Sequence, residues 1–120
     1  MRNISVSIMK FTCIILFTEP EPPISIQIFD LSTWERAKIQ IEWRAPFRYY
    51  SASLVYNFNA TCENTVFTMV TSGTSVILDD VKFGSKCTAY VAAKNEIGTS
   101  AAVKAEIDVK DSCRVTSLLY

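Results

Sequence analysis

The chain has 120 residues, of which 49% are apolar, and it carries twelve basic and twelve acidic side chains. This composition excludes a disordered tail, and the zero net charge offers no electrostatic attraction to nucleic acid or to an anionic membrane. Histidine is absent, which removes the commonest general base and the commonest transition-metal ligand. The length predicts one domain with a substantial core.

Residues 1–18 are ambiguous. An apolar run at residues 11–17 follows Lys10 and is too short to span a bilayer. It fits either the core of a secretory signal peptide or the last strand of a preceding domain, and both interpretations predict an extracellular chain. Residues 19–23 read Glu-Pro-Glu-Pro-Pro and predict a stiff linker, because each proline fixes φ.

Seven short runs follow in which apolar and polar residues alternate as they do in half-buried strands. The runs are residues 24–28, 37–44, 56–62, 66–70, 76–78, 87–94 and 101–109. Turn residues separate them and no helical period is present, so the sequence predicts an all-β fold, an antiparallel sandwich of two sheets. The inward positions predict the core residues Trp43, Tyr56, Phe58 and Val91.

Two of these runs carry a recognisable pattern: Trp43-Arg-Ala-Pro46, and Cys87-Thr-Ala-Tyr-Val-Ala-Ala-Lys-Asn95-Glu-Ile-Gly98. Together they resemble the fibronectin type III family, whose late strand reads Tyr-x-Phe-x-Val-x-Ala-x-Asn-x-x-Gly. The resemblance covers about residues 22–109 and implies an immunoglobulin-like sandwich at 24–110, followed by a tail or linker at 111–120. Cys87 takes the place of a tyrosine whose hydroxyl normally pins the preceding corner.

The four cysteines contain no Cys-x-x-Cys pair, which excludes zinc-ribbon and thioredoxin-like sites. In the topology that the resemblance implies, Cys62 and Cys87 face the core at the same end of neighbouring antiparallel strands. This placement predicts a disulfide between them, and the alternative is two buried free thiols. Cys13 and Cys113 have no predicted neighbour.

Two tripeptides match the N-glycosylation sequon, Asn59-Ala-Thr61 and Asn3-Ile-Ser5. Asn59 falls on the outward parity of the third predicted strand, where a glycan would project into solvent. The alternative is an unmodified surface asparagine. Asn3 lies in the ambiguous first segment.

The loop between the second and third predicted strands concentrates arginine and aromatic residues, which are enriched at interface hot spots. The turn at 95–99 is predicted at the same end of the sandwich. The alternative for Phe47 is that it covers the open end of the core. The predicted partner-binding residues are Arg44, Phe47, Arg48, Tyr49, Tyr50, Asn95 and Glu96.

Motifs of catalysis are missing: the chain has no Gly-x-Ser-x-Gly and no glycine-rich phosphate loop, and the adjacent Asp79 and Asp80 are expected to be turn acceptors. We expect no cofactor, no metal and no small-molecule substrate. The sequence predicts a non-catalytic extracellular protein-protein interaction module, one repeat of a receptor or adhesion ectodomain that meets the membrane only through a parent chain. The alternatives are a small independent secreted ligand or effector and a secreted enzyme.

Overall fold

A computed structural model describes residues 18–48 and 53–111 of the chain. These residues form seven antiparallel strands and no helix, and thus no helix that could cross a membrane. The strands are β1 (Ile24–Asp30), β2 (Ala37–Arg44), β3 (Val55–Cys62), β4 (Thr65–Thr71), β5 (Ser75–Val81), β6 (Lys86–Lys94) and β7 (Val103–Asp108). They lie in two sheets with the orders β1-β2-β5 and β4-β3-β6-β7. The predicted two-sheet, seven-stranded sandwich is confirmed.

The core lies between the two sheets and is lined by alternate residues of β2, β3 and β6. Trp43, Tyr56, Phe58 and Val91 are all buried, as the alternation predicted. The Trp43 ring meets Tyr56 edge to face at a centroid distance of 5.4 Å and stacks on Phe58 at 6.1 Å. Within the described ranges, Trp43 Nε1 is buried without a hydrogen-bond acceptor, so packing alone holds the indole in place.

A disulfide joins Cys62 at the end of β3 to Cys87 near the start of β6. The two residues are direct cross-strand partners in the antiparallel register, and their Cα atoms are 4.1 Å apart. Both side chains are buried. The predicted pairing is therefore present, and it ties two central strands of the four-stranded sheet together.

The corner before β6 is held by Ser85 in place of the missing tyrosine hydroxyl. Ser85 Oγ donates to the Lys82 carbonyl at 2.8 Å, and Val109 N donates to the Ser85 carbonyl at 2.8 Å. Gly84 adopts φ 77°, a conformation that glycine reaches without a steric cost. The chain thus pins its corner with a serine two residues before Cys87.

Strand β4 departs from the simple alternation. It pairs with β3 so that Val70 lies opposite Asn57 and Val66 opposite Thr61, which puts both valines on the outer face of the sheet. They are 66% and 61% exposed. The expectation of one apolar parity in every run is wrong here, because the two-residue turn between Cys62 and Thr65 sets the register.

Candidate interaction surface

Residues 18–22 bring two loops together at one end of the sandwich. Glu21 N donates to the carbonyl of Arg48 at 3.0 Å, and Asn95 Nδ2 donates to the carbonyl of Thr18 at 2.8 Å. The loop after β2 and the turn after β6 therefore contact the same short segment. We call residues 44–48 and 95–99 the loop end. The prediction that these two segments share one end of the domain agrees with this geometry.

Asn95 stabilises the turn at 95–99 through hydrogen bonds inside it. Its Oδ1 accepts from the backbone N–H groups of Ile97 at 2.9 Å and Gly98 at 3.1 Å, while its own N–H donates to the Gly98 carbonyl at 3.0 Å. The residue is only 4% exposed. Because its side chain is committed inside the protein, Asn95 supports the loop end and presents no surface for direct contact with a partner.

Phe47 is the most prominent apolar side chain of the loop end. It is 85% exposed, so the alternative in which it covers the open core is wrong. Arg44 and Arg48 on either side of it are exposed, and Glu96 is exposed on the neighbouring turn. Ile97, which the sequence reasoning did not single out, adds a second exposed apolar side chain. The predicted contact residues Tyr49 and Tyr50 lie outside the described residues.

Asn59 stands on the outer face of the four-stranded sheet. It is exposed and lies between Thr68 on β4 and Tyr90 on β6 in the register. This placement agrees with its predicted outward parity and leaves the amide open to modification. Asn3, Cys13 and Cys113 fall outside the described residues.

The carboxylate of Asp30 connects the end of β1 to the end of β7. Its two oxygens accept from Ser32 N at 2.9 Å and from Lys110 N at 3.0 Å. Partial burial raises the pKa of Asp30, but the hydrogen bonds from Ser32 and Lys110 and the Lys110 charge outweigh that effect and lower the pKa below its ordinary value of 3.8. Asp30 thus links the end of β1 to the residues after β7, at the end of the domain opposite to the loop end.

Residues suited to metal binding do not cluster in the part of the chain that the structure describes. No three of its histidine, cysteine, aspartate or glutamate residues come close enough to hold a metal ion. Asp79 and Asp80 are exposed within strand β5, so the expectation that they are turn acceptors is wrong. Asp79 lies 3.9 Å from the ammonium of Lys38.

No protein-family model matches the chain, and no curated protein matches it. Several solved structures match its fold. The rat CD45 extracellular region, domains d3-d4, matches with a TM-score of 0.67 at 11% identity over 77% of this chain and 51% of that one, so the chain spans about half of it. The FN5 domain of Drosophila Lar matches with a TM-score of 0.59 at 15% identity over 76% and 97% of the two chains.

A mutant of FN3tt matches with a TM-score of 0.62 at 17% identity over 76% of this chain and 97% of that one. These relatives are fibronectin type III domains, which are generally non-catalytic and commonly serve as interaction modules of extracellular receptors. At such low identity the likeness concerns the fold. The seven strands of this chain therefore form a fibronectin type III fold.

Proposed function

We propose that the chain is a non-catalytic extracellular domain that binds another protein through its loop end, as one repeat of a receptor or adhesion ectodomain. The observation that carries this proposal is the 85% exposure of Phe47 between two exposed arginines. A partner that covers this large exposed aromatic side chain gains hydrophobic free energy. Arginine and aromatic side chains are also the residues that dominate interface energetics.

The buried disulfide supports the extracellular part of the proposal. Structural disulfides persist in oxidising compartments and are rare in the reducing cytosol. The Cys62–Cys87 bond lies inside the sheet, with both cysteines buried. A domain that relies on such a bond for stability is suited to secretion or to the cell surface.

The loop end is suited to a protein partner rather than to a small molecule. Residues 18–22 hydrogen-bond to both segments of the loop end. The exposed side chains of these segments include Phe47, Arg44, Arg48 and Ile97. Exposed arginine and aromatic side chains are typical of protein interfaces, whereas small ligands bind in enclosed, mostly apolar sites. The two arginines favour an acidic surface on the partner.

A binding screen tests the proposal directly. The chain, displayed as a multivalent fusion, is applied to an array of extracellular domains, and each hit is measured again with Phe47→Ala and with the double change Arg44→Ala and Arg48→Ala. We expect each change to weaken binding by about tenfold or more, which corresponds to 1.4 kcal/mol. Trp34→Ala is the control, since Trp34 is also exposed but lies in the segment between β1 and β2. Binding that tolerates both loop-end variants would disprove this site.

Asn59 is the residue that we propose to carry an N-linked glycan. Its exposed position on β3 and the Asn59-Ala-Thr61 sequon support the assignment. Chain secreted from eukaryotic cells should lose the mass of one glycan when Asn59 is changed to Gln, and the neighbouring change Asn57→Gln should not alter the mass in this way. Equal masses for the parent chain and Asn59→Gln would contradict the assignment.

A further inference from the structure

In the described part of the chain, four strands form the edges of the two sheets, and three of them carry features that oppose pairing with another chain. β7 presents Lys104, Glu106 and Asp108, and β5 presents Asp79 and Asp80. The register of β1 is broken by an irregularity between Ile24 and Gln27. Charges and bulges of this kind are what proteins use to keep sheet edges from associating.

The fourth edge, β4, has none of these features. Its sequence is Thr-Val-Phe-Thr-Met-Val-Thr, without charge, proline or glycine, and among the described residues it pairs only with β3. Val66, Met69 and Val70 are 61%, 45% and 66% exposed. An uncharged, unbroken edge with exposed apolar side chains is a template for one more strand.

The identity of that strand follows from the symmetry of β4 itself. Read backwards, its residue types are the same except that Phe67 and Met69 exchange places. An antiparallel copy centred on Thr68 therefore puts Val66 opposite Val70 and Phe67 opposite Met69 on both sides of the axis. Beyond the strand, Glu63 of one copy would face Gly73 of the other. The two Glu63 side chains therefore do not face each other, and neither faces a bulky residue.

The backbone N–H and C=O groups at the free edge of β4 fit the same antiparallel register. Cys62 and Thr65 flank a two-residue turn, and in such a hairpin the flanking pair exchanges both hydrogen bonds. Bonding then alternates, so the N–H and C=O groups of Val66, Thr68 and Val70 point to the free edge. These are the three residues that an antiparallel copy centred on Thr68 brings into hydrogen-bonded pairs.

We propose that two copies of this chain associate through β4, antiparallel about a two-fold axis at Thr68, to form one continuous eight-stranded sheet. Such a contact closes on itself, because each copy has one β4 edge, and it produces a dimer rather than a fibre. The outer face gains a cluster of four valines, and the inner face gains two Phe67–Met69 contacts. The contact is small, so the dimer forms reversibly as the protein concentration rises.

Asn59 affects how the experiment is designed. It is the direct cross-strand partner of Thr68 on the outer face, so a glycan on Asn59 would stand beside the proposed axis and block the contact. The dimer is therefore proposed for the chain whose Asn59 carries no glycan. The parent protein for the test is therefore the full chain with Asn59→Gln. It also carries Cys13→Ser and Cys113→Ser, so that no disulfide between copies can imitate the contact.

Sedimentation equilibrium of this parent over a series of concentrations should show monomer and dimer, with dimer increasing. Thr68→Lys or Thr68→Glu puts like charges across the axis, and each should raise the dimer dissociation constant about tenfold or more. An equimolar mixture of the two variants should restore the dimer, because Lys then faces Glu. Ile77→Lys, which adds the same charge to the exposed face of edge strand β5, is the matched control and should dimerise like the parent.

Circular dichroism and thermal unfolding establish that each variant is folded, which we expect because Thr68 and Ile77 are both exposed. A parent that stays monomeric at every concentration would overturn the proposal and leave β4 to a strand of a different protein. Unchanged dimerisation of Thr68→Lys, or no restoration in the mixture, would overturn the register centred on Thr68. The loop end is not part of the contact, so these results are independent of the proposed binding through the loop end.

Discussion

Cys62 and Cys87 face each other directly across β3 and β6, with their Cα atoms 4.1 Å apart and their sulfur atoms bonded. The bond closes a loop with a sequence separation of 25 that contains the whole of β4 and β5. It therefore links the central pair of one sheet and restricts two further strands in the unfolded chain. Most of its stabilisation is expected to come from that restriction.

The first prediction is that loss of this bond lowers the free energy of unfolding by about 3.5 kcal/mol, which is the chain-entropy value for a loop of this length. Urea unfolding of the double variant Cys62→Ala and Cys87→Ala, compared with the parent, measures the difference. Mapping of unreduced peptides should find the two cysteines in one fragment. Two free thiols in the folded, secreted protein would contradict the bond.

The second prediction concerns Trp43, which packs on Tyr56 and Phe58 and whose buried N–H has no acceptor among the described residues. Trp43→Ala should destabilise the protein by about 3–5 kcal/mol. Trp43→Phe should cost less than half of that, because it keeps an aromatic ring and removes a donor that is buried without a partner. Chemical unfolding monitored by far-UV circular dichroism measures both values.

Trp34→Ala is the matched control, since this second tryptophan is exposed. It should cost less than about 1 kcal/mol. Equal losses for the two tryptophans would show that Trp43 is not the centre of the core. A loss for Trp43→Phe of more than half the loss for Trp43→Ala would contradict the inference that the indole N–H makes no hydrogen bond.

The third prediction is a pH dependence that originates at Asp30. Its pKa is lowered in the folded protein, so its contribution to stability is complete above the ordinary pKa of 3.8 and is lost as the pH falls through the folded value. Asp30→Asn should cost about 1–2 kcal/mol at neutral pH, because two backbone N–H donors lose a charged acceptor. Unfolding at neutral pH and at a pH well below 3.8 should show the difference shrinking. A difference that grows in acid would contradict the lowered pKa.

The sequence predicted the elements whose two faces have different environments. One face of β2, β3 and β6 packs against the opposite sheet, so a single parity of each strand faces the core and alternation identifies it. β4 could not be assigned in the same way because both of its parities are apolar. Its register depends on the turn between Cys62 and Thr65, and its exposure depends on its place at the edge.

The sequence predicted which types of residue form the candidate site, but not how each side chain is placed. Clustered arginines and aromatics identified the loop after β2, and the structure adds that Phe47 is exposed rather than folded over the core. Asn95 was assigned to binding because it occupies a turn. Its side chain also donates to the carbonyl of Thr18, which is 77 residues away in the sequence, and no local pattern encodes that contact.

The fourth prediction tests this role of Asn95. Asn95→Ala removes the acceptor of the Ile97 and Gly98 N–H groups and the donor to the Thr18 carbonyl, so it should lower the free energy of unfolding by about 2–3 kcal/mol. Amide hydrogen exchange at Ile97 and Gly98 should accelerate before the rest of the sandwich opens.

Glu96→Ala is the control for this prediction, because Glu96 lies in the same turn with its side chain exposed. It should change the stability by less than about 0.5 kcal/mol and leave the exchange at Gly98 slow. Because Asn95 also holds residues 18–22 beneath the loop end, Asn95→Ala should weaken partner binding without removing any exposed contact residue. Unchanged exchange at Ile97 and Gly98 in Asn95→Ala would show that the turn keeps its shape without the side chain, and that Asn95 is not the residue that positions the loop end.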